Sequence, residues 1–405
     1  MKVLHFAGYV TIDDDKEFSK NASGYGYMVF DICKSIQKKG VKTFVLTQSN
    51  ITKRKMSNNV TLIQRTWIDI FTNISILDIF RFFSYIYNKE TTLKKIPNVF
   101  LYHISLGYFR KIIKRENFDL IHIHGVGDYT CPMIDECHRR NHKFLVTLHG
   151  LNFLRNDLHY SDVKLEKKYL KFFYENNIPV TVISSGIRTK ILKLLKLENS
   201  QTFSVINNGY RNDTELNLID IRKNYNIPNN KKIMLCVGNI CKRKNQEQIL
   251  TSFSLLNLKI KKNLCILFIG SDLTKDFKNK ISLIKSDDLI FCGQIEKKLM
   301  ASFYSQSDFN ILASIDEGFG LSIIEALYFG IPSLIFKDID IYEDLNKSSV
   351  IALDNRSDEN LAKGIEEMFF ADWDNRKIVE NFKKFSIGEM SNKYLLQYKA
   401  IDENK

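Results

Sequence analysis

Short, continuously apolar runs rich in β-branched residues alternate with amphipathic helical stretches along the whole chain, and this alternation restricts the fold more than any other feature. Strand candidates in the first half are 3–7, 43–47, 120–124, 144–149 and 180–184; in the second half they are 233–238, 264–270, 308–313, 332–336 and 350–353. A strand apolar on both faces must be covered on both, which helices do for a parallel sheet. The chain therefore reads as α/β with parallel sheets. The first helix is expected over 26–39, with Ser23 as its cap, Met28, Val29, Ile32 and Ile36 as its buried stripe, and Gly40 beyond its end.

A length of 405 residues suggests two or three domains. Asn207-Asn208-Gly209 is a turn signal, and the polar run Asn229-Asn230-Lys231-Lys232 precedes a new apolar strand, so two α/β units joined between 209 and 231 are expected. The last segment, from about 380, reads as a helix anchored by Tyr394, Leu395 and Tyr398. With 44% hydrophobic and 26% charged residues, disorder is excluded. Asp, Arg or Asn interrupts every apolar stretch before it could cross a bilayer, and residues 1–7 turn polar too early for a signal peptide. The protein is thus expected to be soluble or to sit on a surface.

Seven cysteines show no pair at the two-residue gap of a zinc or redox site, and Cys236 and Cys265 lie in apolar runs as small hydrophobes. Residues 1–200 carry 31 Lys and Arg against 18 Asp and Glu, whereas residues 201–405 carry 28 of each, so the whole excess of +13 belongs to the first half. Such a field attracts nucleic acid, an anionic membrane or a phosphorylated partner. No aromatic-basic recognition motif supports nucleic acid. Residues 67–87 crowd Trp67, Phe71, Phe80, Phe82, Phe83, Tyr85 and Tyr87 between basic stretches, Lys53-Arg54-Lys55 before and Arg110-Lys111 and Lys114-Arg115 after. They are read as a core helix pair, with an interfacial helix as the alternative.

In open parallel sheets ligands bind beyond the carboxyl ends of the strands. One such place is the loop 7–26, where Asn21-Ala22-Ser23-Gly24-Tyr25-Gly26 leads into a helix and Gly24 lets the backbone approach a phosphate. There is no G-x-G-x-x-G and no Walker loop, which argues against a nicotinamide dehydrogenase and a P-loop ATPase. His149 ends an apolar strand beside Gly150. His122 and His124 share one face of the preceding strand, but no acidic or cysteine ligand stands at a supporting spacing, so no metal is expected.

The strongest signal is Ser314-Ile315-Asp316-Glu317-Gly318-Phe319-Gly320-Leu321-Ser322-Ile323-Ile324-Glu325-Ala326. A strand runs into a glycine-rich loop and then a helix from about Leu321, whose first amides, near Gly318 to Leu321, suit sugar hydroxyls or phosphate. Glu317 and Glu325 are acceptors for vicinal hydroxyls. The run Gly238-Asn239-Ile240-Cys241-Lys242-Arg243-Lys244 follows another strand, and its cations can neutralise a diphosphate, with Lys244 opening a helix.

On these residues the chain resembles the retaining glycosyltransferases of family 4, also called glycosyl transferases group 1. Their mark, Ser-x-x-Glu-Gly-Phe-Gly-Leu-x-x-x-Glu-Ala followed by Gly-x-Pro, stands complete as Ser314 to Ala326 and Gly330-Ile331-Pro332. Weaker pieces are Ser23-Gly24, His149-Gly150, Val182-Ile183-Ser184, Asn208-Gly209, Gly238, Lys244, Phe291-Cys292-Gly293 and Ser307-Asp308. The resemblance implies the type B glycosyltransferase fold: two Rossmann-like domains with parallel sheets facing across a cleft. It implies an acceptor-binding domain at 1–208, a nucleotide-sugar domain at 209–380, and a terminal helix at 381–405 that packs back on the first domain.

It further implies that Glu325 holds the ribose hydroxyls and Glu317 those of the transferred sugar. Lys244 would neutralise the diphosphate, Gly24 would let backbone approach it, and His149 would sit beside the anomeric centre. His149, Glu317 and Lys244 are the candidate catalytic residues; Gly24, Gly238, Asn239, Arg243, Gly318, Phe319, Gly320, Leu321 and Glu325 complete the donor site. Many members carry arginine where this chain has Asn239, which leaves Arg243, or Lys244 with the helix amides, to supply that charge. The implied donor is a UDP- or GDP-sugar, without cofactor or metal. The implied acceptor is a saccharide or a lipid-diphosphate-linked sugar at the inner face of an anionic cytoplasmic membrane, as in bacterial surface polysaccharide assembly. A catalytically silent sugar-binding subunit and a nucleotide-sugar epimerase or phosphorylase of the same fold stay open as alternatives.

Overall fold

The structure is a computed structural model, and it describes every residue except 13–14, 16–17, 19–22, 49–53, 88–92, 155–159, 211–217 and 404–405. Part of the loop before the first helix (Asn21 and Ala22) and Lys53 therefore lie outside the described residues. The chain forms two compact units.

The first unit comprises Met1–Ile183, Ile187–Asn208 and Ile387–Lys405. Its strands are β1 (Lys2–Ala7), β2 (Lys42–Thr47), β3 (Lys55–Ser57), β4 (Val60–Leu62), β5 (Leu120–His124), β6 (Phe144–Leu148), β7 (Val180–Val182) and β8 (Phe203–Val205). They form one sheet in the order β3-β4-β2-β1-β5-β6-β7-β8, parallel throughout except for the β3–β4 pair. The order reverses between β1 and β5, so the loops after these strands diverge to opposite faces. Helix α1 (Gly24–Gln37) follows β1 and buries Met28, Val29, Ile32 and Ile36; Ser23 Oγ accepts the Gly26 N–H at 3.1 Å as its cap. The closing helix, Ile387–Glu403, starts later than expected and belongs to this unit. It buries Tyr394 and Tyr398 completely, and the Tyr398 hydroxyl lies 2.7 Å from His122 Nδ1.

The segment 67–87 corrects the expectation of a core pair. It folds into α2 (Trp67–Phe71) and α3 (Ile76–Tyr87), but most of its large apolar side chains face solvent, with Ile70 and Phe82 buried. Asp78 supplies the reason. It is fully buried on the inner side of α3, where Arg81 and Arg110 hold it at 3.0 and 2.5 Å, and the opposite, apolar side must then point outward.

The second unit comprises Ser184–Gly186 and Gly209–Ser386. Its strands are β9 (Lys232–Val237), β10 (Leu264–Ile269), β11 (Leu289–Gly293), β12 (Phe309–Ile311), β13 (Ser333–Phe336) and β14 (Val350–Leu353), in the order β11-β10-β9-β12-β13-β14 and all parallel. Alternate residues of β9 and β10 feed two separate cores. Met234, Cys236, Ile266 and Phe268 pack with Ile249, Phe253 and Ile365 on one face. Ile233, Leu235, Cys265 and Leu267 pack with Phe303, Tyr304 and Ala326 on the other. Burial pushes the Cys236 and Cys265 thiols up to about 12, as befits small hydrophobes. No helix among the described residues is long and apolar enough to cross a membrane.

At the end of β10, Gly270 has φ +145, and a Cβ there would lie 2.3 Å from the Gly238 carbonyl oxygen. Gly270→Ala should therefore destabilise the second unit by about 2 kcal/mol, read as a lowered melting temperature; an unchanged transition would contradict this packing.

Candidate functional site

In the second unit the strand order reverses between β9 and β12, and the two strand ends carry both sequence signals side by side. After β9 the backbone turns at Gly238, with φ +145, and passes through the cationic loop into the helix Gln246–Leu255. Lys244 does not open that helix as expected: Asn245, in the left-handed conformation, is its cap, and Lys244 lies in the loop. After β12, residues 312–320 form the second loop, and Gly320, φ +70, caps the helix Leu321–Tyr328 with no side chain bonded to its first amides. Those N–H groups carry the positive end of the helix dipole.

The loops are tied together by charge. The Lys244 ammonium donates to Glu317 Oε2, and the Arg243 guanidinium stands 3.6 Å from the same oxygen while donating to the Asp316 carbonyl at 2.9 Å. The Ile315 N–H donates to the Arg243 carbonyl at 2.8 Å, and Ser314 Oγ lies 3.4 Å from Glu317 Oε2. Burial raises the Glu317 carboxyl, but Lys244, Arg243 and the Gly320 N–H outweigh it and hold the group below its ordinary value. A carboxylate and two cations are thus positioned at one strand edge, beside open helix amides.

Glu325 sits one turn into the helix and is held separately, accepting the Tyr304 hydroxyl at 2.6 Å; burial pushes its carboxyl up, opposed by that hydroxyl and by Lys297. Asn239 is engaged in structure: its Oδ1 accepts the Ser271 N–H at 3.2 Å. Phe319 is buried, and Gly318 gives its carbonyl to Ser184 Oγ at 3.1 Å. Sequence reasoning missed Arg356, which donates to the Ala313 and Ser314 carbonyls at 3.1 and 2.6 Å and pairs with Asp338 at 2.6 Å, anchoring the glutamate loop from β14's far end. Gln246, also missed, donates to the Gly238 and Asn239 carbonyls, both at 3.1 Å, and so fixes the turn under Lys244. Neither stands in a recognisable motif, and only the fold brings them in.

In the first unit, Gly24 opens α1 and His149 follows β6. His149 Nε2 lies 3.1 Å from His124 Nδ1, and His124 Nε2 lies 3.1 Å from His5 Nδ1, so three histidines form a chain from the sheet interior to the strand ends. The edge of the Tyr25 ring meets His149 with centroids 5.1 Å apart. His149 Nδ1 is buried without a hydrogen-bond partner. His5, His122 and His124 are also the described residues that could hold a metal, with ligand atoms within 4.8 Å of one another. The His122 nitrogens are engaged by Tyr398 and Thr147, at 2.7 and 2.6 Å, and only His5 Nε2 among the three rings has no partner. The cluster reads as a hydrogen-bonded stack. Burial lowers His5 to about 3 and His149 to about 4, and lowers His122 and His124 well below the ordinary value.

Because the folded histidines refuse protons that the unfolded chain accepts near pH 6.5, stability should fall as pH drops from about 6.5 towards 4, by up to about 1.4 kcal/mol per pH unit for each histidine. Denaturation of wild type and His149→Asn at pH 7 and 4.5 checks this: the variant should lose part of the acid sensitivity, and identical profiles would contradict it.

Residues 219–385 match the family described as Glycosyl transferases group 1, and residues 22–213 match Glycosyltransferase Family 4. N-acetyl-alpha-D-glucosaminyl L-malate synthase of Bacillus anthracis is 22% identical over 260 residues, 60% of this chain and 66% of the relative, so the match spans just under two thirds of the relative's length. Among solved structures, a glycosyltransferase from Rickettsia africae superposes with a TM-score of 0.72 at 17% identity, covering 100% of this chain and 99% of its own. Sucrose-phosphate synthase from Thermosynechococcus elongatus gives 0.68 at 17%, covering 99% and 96%. The Anabaena protein HepE in complex with UDP and glucose gives 0.62 at 13%, covering 99% and 100%. At such identities the likeness shows the fold, that of the type B glycosyltransferases.

Proposed function

The chain belongs to the family 4 (group 1) glycosyltransferases, and from that premise we propose that it moves a sugar from a nucleoside diphosphate sugar to a saccharide or lipid-diphosphate-linked acceptor, with retention at the anomeric carbon. One observation carries the donor reading. Lys244 and Arg243 converge on Glu317 beside the uncapped start of the helix Leu321–Tyr328, at the strand reversal of the second sheet.

An entering diphosphate exchanges with Glu317 for Lys244 and meets the helix amides, so the charge that develops as the diphosphate departs is met by groups already in place. Glu317, released from Lys244, is an acceptor for hydroxyls of the transferred sugar, and Glu325 for those of the ribose. The anomeric carbon–oxygen bond breaks with its electron pair going to the diphosphate, and the acceptor hydroxyl oxygen bonds to that carbon from the same face, its proton passing to the departing diphosphate oxygen. The family resemblance assigns His149, which burial lowers to about 4, a hydrogen-bonding part at the anomeric centre. Asn239 is absorbed in the bond to Ser271, so Arg243 and Lys244 are the cations of this loop assigned to the diphosphate. HepE, crystallised with UDP and glucose, supports a nucleotide-sugar donor by likeness of fold. The basic first half supports an acceptor carried at an anionic membrane, the setting of surface polysaccharide assembly.

UDP, GDP and ADP tested by thermal shift should single out one nucleotide; at a hundred times its dissociation constant it adds about 2.7 kcal/mol of stability. With the matching sugar nucleotide, diphosphate release should require acceptor, and Lys244→Ala should lower transfer by about a hundredfold or more. Acceptor-independent turnover would favour an epimerase or phosphorylase, and near-normal rates in the variant would remove Lys244 from the reaction.

A further inference from the structure

Helix α3 is amphipathic in the inverted sense. Ile76, Leu77, Phe80, Phe83 and Tyr87, spaced along one side, are 58–90% exposed. Trp67, Ile68 and Phe71 of the neighbouring α2 extend this apolar surface at 51–74% exposure. Single exposed apolar residues are ordinary, but two helices presenting eight together mark a surface with a partner.

The orientation is locked by charge. On the inner side of α3, Asp78 is fully buried and Glu136, from the helix Cys131–Arg139, is 1% exposed. Four arginines surround this pair. Arg81 and Arg110 bind Asp78 at 3.0 and 2.5 Å, and Arg139 and Arg140 bind Glu136 at 2.7 and 2.5 Å. Rolling α3 to bury its apolar stripe would carry Asp78 and Arg81 away together, breaking the pairs Asp78–Arg110 and Arg81–Glu136 that tie the helix to its neighbours. The ring also leaves two positive charges in excess, and Arg139 and Arg140 are 41% and 53% exposed, so that charge reaches the surface. On α3's flank, Arg81, Arg139, Lys164 and Lys168 line a cavity of about 420 Å³.

We propose that the α2–α3 apolar face, with the arginine ring behind it, docks this protein on a lipid bilayer containing anionic headgroups. Charge complementarity selects this occupant. A second copy would bring the same arginines and the same basic half, 31 cations against 18 anions over residues 1–200, against their own kind. Anionic lipid reverses that sign, and Trp, Tyr and Phe favour the boundary between headgroups and acyl chains. The proposal rests on the reading above for its purpose, delivery of a membrane-borne acceptor, but binding itself requires no catalysis.

Vesicle flotation at low salt, with phosphatidylcholine alone or mixed with 30% phosphatidylglycerol, tests it on wild type and on Phe80→Ser/Phe83→Ser, whose positions are exposed. The wild type should bind the mixed vesicles, at least tenfold less pure phosphatidylcholine, and lose binding in 0.5 M salt; the double variant should bind at least tenfold less. Trp67 fluorescence should shift to the blue with the mixed vesicles, and Trp67→Phe should abolish the shift. No flotation, equal flotation of the variant, salt-independent binding to pure phosphatidylcholine, or a concentration-dependent dimer abolished by the variant would each overturn the proposal. Stabilisation by a nucleoside diphosphate, measured in the same samples, separates the two readings: its persistence without flotation sinks the docking surface alone, and its absence from wild type sinks the donor reading.

Discussion

Lys244 and Glu317 meet because two parallel strands, β9 and β12, lie side by side at the point where the order of the sheet reverses. Loops leaving neighbouring strands there turn to opposite faces and leave a gap lined by backbone groups and by whatever side chains the loops carry. Here those are a carboxylate, two cations and open helix amides. Glu317 lies between the two cations and offsets one of their two positive charges, so they are not held together as bare like charges. In the proposed donor site a diphosphate would replace one carboxylate; Gln246 holds the turn before the cations, Arg356 holds the glutamate loop, and the backbone bond from Ile315 to Arg243 joins the two loops.

The first unit uses burial differently. Its central strands carry histidines inward, and the closing helix seals them with two tyrosines, so His149 reaches the strand ends at the end of a neutral, hydrogen-bonded row. Its outer helices do the reverse, placing Asp78 and Glu136 inside and aromatic rings outside. Both arrangements concern where charge can exist. Histidines kept from water stay neutral, and carboxylates kept from water gather arginines around them.

Much of this was legible in the residues. Strands buried on both faces, such as 264–270 and 332–336, announce themselves by continuous apolar character, and the glutamate motif could be assigned to a strand-loop-helix turn. The short strands β3 and β4 at one sheet edge and β8 at the other escaped because three residues, partly polar, leave no periodic signal. The stripe on α3 was visible as a cluster, but periodicity states only that a helix has an apolar side, not which way it faces. That was decided by Asp78 and by Arg110, 32 residues away in sequence. Likewise His5 joins His124 across 119 residues, a contact made by strand pairing between β1 and β5.

The loops after β9 and β12 are proposed to hold the diphosphate of a sugar donor. This is tested most directly by a crystal structure of the protein with whichever of UDP, GDP or ADP it binds. Diphosphate oxygens are expected within about 3 Å of Lys244 Nζ and of an N–H at the start of the helix Leu321–Tyr328, with ribose hydroxyls on Glu325. A nucleotide bound elsewhere, with Lys244 still resting on Glu317, would contradict this.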